Sequence, residues 1–268
     1  MDYISVIEAA EKWNLSERRV RGLCSEGRVE GAERHGNWAW SIPADIERPS
    51  DGRSLRFTKG ENFTPGHQNY NKIENAKTKG QTKEKQEKAI LATLSNIVYF
   101  EKPDFDLLNI EKILSGNFIE GIPLFYHVQI LNEYSQLNEL DTKISVSSLR
   151  TLNLRILNSV DNKQKGQFRS SLAEKEFKGL MLQYKNNWSS LHTLTRASFL
   201  FGGLMKIKPF LLANEATAWI AFQTELKIGG YPIMLLNPKE IDEVKASLIS
   251  ARIRGNYQKL ISLFCDSF

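Results

Sequence analysis

Residues 191–236 read LHTLTRASFLFGGLMKIKPFLLANEATAWIAFQTELKIGGYPIMLL. Apolar residues recur there at three and four spacing, which predicts helices near 191–206 and 212–227. A short Lys-Pro-Phe loop separates the two, and Gly230-Tyr231-Pro232 follows the second. The same periodicity extends outward in both directions. It predicts helices near 84–99, 105–114, 122–138, 145–160 and 170–185 on one side, and near 238–250 and 253–266 on the other. Gly, Asn or Pro punctuates most of the junctions. No internal repeat is visible. From about residue 84 onward the chain therefore reads as all-helical.

The first fifty residues follow a different plan. Ser5 precedes VIEAAEKW, with Glu8 three positions on, which is a capping box opening a helix. Ile7, Ala10 and Trp13 are expected on its apolar face. Ser16 caps a second helix, SERRVRGLCSEG, which closes at Gly27. Val20, Leu23 and Cys24 share one side of it, and Glu17, Arg18 and Arg21 point elsewhere. Two short helices joined by a tight turn form helix-turn-helix geometry, in which the start of the second helix reaches base edges. Arginine suits that position, because its fork pairs with O6 and N7 of guanine. Val29 and Ala32 then lead to a turn at His35-Gly36-Asn37, and Trp38, Trp40 and Ile42 alternate on the return. That pattern predicts a hairpin, or wing. Trp13 and Trp40 are expected in the small core. Between the two halves, residues 51–83 are polar, rich in Gly, Asn and Lys and without periodicity, so they read as a linker. The lysines from Lys72 to Lys88 read as a solvated face.

Bulk properties narrow the class. The 268 residues are 41% hydrophobic and 25% charged, enough for a core and typical of a globular protein. Cys24 and Cys265 are the two cysteines, too few for a disulfide framework or a zinc site, and a reduced cytoplasmic setting is expected. The start, MDYISVIEAAEKW, is amphipathic and acidic, unlike a secretory leader. No apolar run approaches the ~20 residues that span a bilayer. A net charge of +5 is compatible with nucleic acid and carries little weight alone.

The N-terminal pattern resembles helix-turn-helix domains of the MerR and excisionase type. The matching residues are Ser5, Glu8, Ala9, Ala10, Ser16, Arg18, Val20 and Arg21, followed by a wing ending at Ile42-Pro43. The resemblance implies a double-stranded DNA reader with Ser16, Arg18, Arg19 and Arg21 at the duplex and Arg34, His35 and Asn37 near the backbone. It also implies a bacterial regulator of the kind found on chromosomes and mobile elements.

Residues 191–236 resemble the core of a Fic (Fido) domain, whose loop reads H-P-F-x-D-G-N-G-R. Pro209, Phe210, Asn214 and the later Gly230-Tyr231-Pro232 match that framework. The family's histidine position holds Lys208, its acid position Leu212 and its first glycine Ala213. The second glycine is replaced by Glu215, the arginine by Ala216, and the arginine three residues further on by Trp219. Fic enzymes resemble one another in transferring AMP or another phosphate-containing group to a protein hydroxyl. That chemistry needs a general base, an acid for a metal ion, a backbone nest for phosphate, and arginines for developing charge. An ammonium at Lys208 is a poor base, Leu212 offers a metal no oxygen, and Glu215 repels phosphate. Glu120-Gly121 resembles the family's inhibitory motif, and Gly166-Gln167-Phe168-Arg169 resembles the segment that precedes its target-docking flap.

The expected fold is mainly α: a winged helix-turn-helix domain (1–50), a linker (51–83) and an all-helical Fic-like domain with a short β-flap (84–268). Three functions stay open. The first is a DNA-binding regulator whose degenerate Fic-like half dimerises, senses a ligand or binds a partner. The second is a transferase with a non-standard loop, and the third a protein-interaction scaffold. No catalytic residue, cofactor, metal or membrane partner is expected. His127 and His192 are read as structural, and Asp104 and Asp106 as helix caps.

Overall fold

The computed structural model describes residues 3–13, 15–25, 29, 31–35, 39–46, 73–77, 83–101, 105, 107–161, 163–254 and 256–268. Internal contacts divide the chain into two compact units, Met1–Arg56 and Phe57–Phe268.

In the first unit the elements are β1 (Tyr3–Ile4), α1 (Val6–Trp13), α2 (Glu17–Ser25), β2 (Glu33–His35) and β3 (Ala39–Pro43). The capping box forms: the Ser5 N–H donates to Glu8 Oε2 at 2.7 Å, and the Glu8 N–H to Ser5 Oγ at 3.3 Å. Ser16 Oγ accepts from the Arg19 N–H at 3.3 Å and starts α2. The hairpin pairs Arg34 with Trp40 and His35 with Ala39. β1, two residues too short to announce itself by alternation, adds an antiparallel partner on the other side of β3, with Ile4 opposite Ile42. Val6, Ala9, Ala10, Trp13, Val20, Leu23, Cys24, Val29 and Ile42 form the core, with Trp40 packed against it half-buried. One expectation needs correction. Ile7 is 56% exposed, and Val6 with Ala9 takes its place inside. Ala10 and Trp13 are buried as expected, so the stripe widens on the side of Val6 and Ala9 and leaves Ile7 at its margin.

The second unit is helical: α3 (Lys83–Glu101), α4 (Leu107–Leu114), α5 (Leu124–Asn138), α6 (Val146–Ile156), α7 (Ser171–Asn186), α8 (Thr193–Ile207), α9 (Asn214–Ile228), α10 (Pro238–Arg254) and α11 (Gln258–Asp266). α8 and α9 form the central pair, and α3, α5, α6, α7, α10 and α11 pack around them. α9 is buried on nearly every side, from Ala216 through Leu226, as a helix at the centre of a domain must be. Close packing on α8 depends on Gly202 and Gly203. A Cβ on Gly203 would stand 2.5 Å from Leu180 of α7, and one on Gly202 would stand 2.2 Å from the Tyr257 ring.

Beyond α9 residues 231–237 belong to no helix or strand, and amide side chains fasten them from two sides. Gln223 donates to the Met234 carbonyl (2.9 Å) and accepts from the Met234 N–H (3.0 Å). Asn96 does the same for Leu236, at 2.8 and 3.1 Å. These four bonds satisfy a buried backbone that belongs to no sheet. Residues 73–77, within the stretch read as linker, form a helical segment with Ile73 fully buried. Asp104 and Asp106 lie outside the described residues.

Candidate functional site

Two regions bear the residues singled out above. In the first unit, Ser16, Arg18 and Arg21 lie exposed on the first turns of α2, and Arg19 is half-buried. Arg21 Nη2 donates to Glu17 Oε2 at 2.7 Å. Both partners are more than two-fifths exposed, so that pair is worth little and yields readily to a stronger acceptor. Arg34 and His35 are exposed on β2. The Arg34 guanidinium lies 5.9 Å from the Trp40 ring centroid, and His35 Nε2 is 4.0 Å from Glu33. Asn37 lies outside the described residues.

In the second unit, the loop between α8 and α9 is bracketed by two left-handed residues, Lys208 (φ +45°) and Ala213 (φ +54°). Such a conformation costs a non-glycine residue roughly 1 kcal/mol, so the surroundings must hold it. They do so from three sides. The Pro209 carbonyl accepts from the Arg169 N–H at 2.8 Å, and the Leu211 N–H donates to the Gln167 carbonyl at 3.1 Å, an antiparallel bridge centred on Phe168 and Phe210. Arg169 Nη2 also reaches the Ile207 carbonyl at 3.0 Å, a cation at the carbonyl end of α8. Asn214 accepts from the Phe210 N–H and donates to the Phe210 carbonyl, both at 2.9 Å. Asn153 of α6 donates to the Leu212 carbonyl (2.9 Å) and to Thr217 Oγ1 (3.1 Å), and it accepts from the Gly166 N–H (2.9 Å). Sequence reasoning missed Asn153, because its partners lie 13, 59 and 64 residues away. Phe210 is buried against Phe168 and Phe177, with centroids at 5.5 and 5.7 Å.

The charges in the loop satisfy each other. Lys208 Nζ lies 2.5 Å from Glu215 Oε1. Glu215 places a carboxylate in the first turn of α9, where exposed N–H groups and the helix dipole would otherwise favour a phosphate. Leu211 and Leu212 are exposed, and Ala216 is fully buried. Trp219 is fully buried too, stacked on Phe222 at 4.9 Å and close to Phe201 (5.4 Å), Phe100 (5.6 Å) and Phe264 (6.1 Å). Its Nε1 has no acceptor among the described residues.

Glu120 is exposed and makes no ion pair among the described residues, in a loop shaped by Gly116 (φ +85°) and Gly121 (φ +82°). His127 folds that loop. The Ile119 N–H donates to its Nε2 at 3.0 Å, so Nδ1 carries the proton and faces the Pro123 carbonyl at 3.2 Å. Phe118 stacks on the ring at 4.7 Å. His192 caps α8, its Nδ1 accepting from the Leu194 N–H at 3.2 Å, while its Nε2 meets Glu74 Oε1 at 3.1 Å. Burial holds the His192 imidazole below its ordinary value, against the opposing pull of Glu74. The Tyr231 hydroxyl donates to Glu74 at 2.6 Å; with Lys77 it holds that carboxyl down at about 2. This cluster fastens residues 73–77 to the start of α8. Both histidines have structural duties. Among the described residues no three His, Cys, Asp or Glu side chains converge on a metal position, and no helix is long and apolar enough to cross a membrane.

The helical unit has the fold of a Fic domain. It is similar to Fic-1 (residues 134–508) from C. elegans, with a TM-score of 0.65 and 18% identity over 75% of this chain and 67% of that one. It is also similar to a Fic family protein from Desulfovibrio desulfuricans G20 (TM-score 0.62, 13% identity, 75% and 70% covered). A Fic domain containing signalling protein from Bacteroides thetaiotaomicron VPI-5482 gives a TM-score of 0.59 and 16% identity, covering 74% of this chain and 90% of that one. No protein-family model matches the chain, and no curated protein sequence does.

Proposed function

We propose that this protein is a DNA-binding regulator in which a winged helix-turn-helix reads duplex DNA and a Fic-like half has exchanged catalysis for a structural or partner-binding role. The observation that carries the reading is the first turn of α2. There a formed nine-residue core presents Ser16, Arg18 and Arg21 outward from a Ser-capped helix, beside a hairpin bearing Arg34 and His35. A good bidentate contact from arginine to guanine discriminates by about 1–3 kcal/mol, more than the exposed bond to Glu17 can oppose.

The loop supports the second half of the reading. Lys208 is committed to Glu215 and cannot take a proton from a hydroxyl while it holds one of its own. Leu212, Ala216 and Trp219 supply neither a metal ligand nor a cation. The test is selection from random duplex DNA, followed by sequencing, at low and high salt. The full chain is expected to enrich a motif with affinity that falls steeply with salt, and the Arg18→Ala, Arg21→Ala variant is expected to lose the motif. Recovery of no motif from the full chain would refute the proposal.

A further inference from the structure

α2 carries a glycine that its own fold does not use. Gly22 lies inside the helix, where glycine is a poorer helix former than alanine. Two needs commonly keep a glycine in place, and neither applies here. Its φ is not left-handed, unlike that of Gly31. A Cβ on it would meet no described atom within 4 Å, whereas Gly202 and Gly203 are held bare by Tyr257 and Leu180.

The missing side chain leaves a notch on the outward side of α2. Long side chains of a helix lean over the turn before their own, toward the N-terminus. Arg21 does so, with Nη2 on Glu17 Oε2 at 2.7 Å, and is thereby drawn away from Gly22. By the same rule Arg18, one turn earlier, leans away too. Ser25 leans over Gly22 and is short, its Oγ donating to the Gly22 carbonyl at 2.9 Å. That bond satisfies one carbonyl of the last turn inside the helix, so the notch presents no bare acceptor to a phosphate.

We infer that Gly22 is the point at which α2 comes closest to duplex DNA, and that its notch admits the edge of a base pair which a Cβ would push away. This makes Gly22 a specificity-determining residue, and it rests on the DNA reading of Ser16, Arg18 and Arg21. Arginines are long enough to reach bases from a helix held off the groove, but a helix held off has no use for a glycine. A helix seated deep in the major groove brings its backbone against the base edges, and there the missing Cβ removes a clash. The surroundings favour DNA over an apolar protein surface. Glu17, Arg18, Arg21 and Ser25 are the exposed residues of α2, and none of them is apolar.

The test compares the full chain with Gly22→Ala and Gly22→Leu variants on the duplex that selection recovers, by fluorescence anisotropy. Hydrogen exchange of the α1 and α2 amides follows the fold. Gly22→Ala should slow that exchange by about two- to five-fold, because alanine is the better helix residue and has room. It should weaken DNA binding by about 10-fold or more, and Gly22→Leu should weaken it further. A glycine with only a structural role would not give a firmer helix that binds less well. Gly179 of α7 is the control, since a Cβ there also meets nothing within 4 Å. Gly179→Ala should leave DNA binding unchanged. Equal binding by Gly22→Ala and the natural chain, an equal loss in Gly179→Ala, or faster exchange in Gly22→Ala would each overturn the inference alone. Recovery of no motif by the natural chain would refute the proposed function and the role of Gly22 with it.

Discussion

Replacing Trp219 by arginine would place a guanidinium inside the core of α9, and the structure predicts that the domain cannot accept it. Trp219 has no exposed surface, and four aromatic rings lie within 6.1 Å of it, centroid to centroid. Removing a buried tryptophan costs about 3–5 kcal/mol through lost burial and the cavity left behind. A guanidinium placed among those four rings loses its hydration, which adds several kcal/mol more. A combined penalty of roughly 6 kcal/mol is a large share of the ~5–15 kcal/mol that stabilises a domain. At about 2–4 °C per kcal/mol for a unit of this size, Tm should fall by roughly 12–24 °C. Trp219→Phe is the control. It keeps the aromatic packing and removes a buried N–H that lacks an acceptor, so it should cost less than about 1.5 kcal/mol. Calorimetry or urea unfolding followed by circular dichroism reads both. A Trp219→Arg chain that melts within a few degrees of the natural one would show that the pocket opens to water, and the assignment of position 219 to the core would fail.

Three further outcomes follow from the same geometry. Ala213 holds φ +54° at the start of α9, so Ala213→Gly should raise stability by about 0.5–1 kcal/mol in denaturant titration, and a loss of stability would contradict the left-handed assignment. Glu225 is fully buried against Arg196 and Tyr184, so Arg196→Ala should cost about 3 kcal/mol by stranding its charge; a change below about 1 kcal/mol would mean that water reaches the carboxylate. Burial, and then the nearby Glu101, raise the Glu133 carboxyl above its ordinary value. A raised folded-state value means stability that is complete below the unfolded-state value and is lost as pH rises through the folded one. The Glu133 contribution should therefore decline from acid toward alkaline pH, so the unfolding midpoint of Glu133→Gln, which keeps an acceptor for Gln129, should gain on that of the natural chain as pH rises. A slope identical in the two proteins would refute the assignment.

The sequence by itself determined most local elements of both units, β1 and the helical segment 73–77 excepted. Ser5 with Glu8 and Ser16 with the Arg19 N–H are contacts within three residues, so the caps and the helix starts were legible. The helices from α3 to α11 follow from apolar spacing, and Lys208, Leu212, Glu215 and Trp219 were legible as residue types in and after the loop. The tertiary structure decided what those residues do. No local signal pairs Lys208 with Glu215 across a left-handed turn, sends Asn153 to Leu212 and Gly166, or surrounds Trp219 with Phe100, Phe201, Phe222 and Phe264. Nor did helical periodicity say which side of α5 faces inward, because that side holds both polar and apolar residues. Ile7 was misplaced for a related reason, since the side of α1 that faces inward is chosen by packing against α2 and β3. Caps and spacing act over one helical turn and are written in neighbouring residues. The direction a side chain faces is fixed by elements tens of residues away, which only the folded chain brings together.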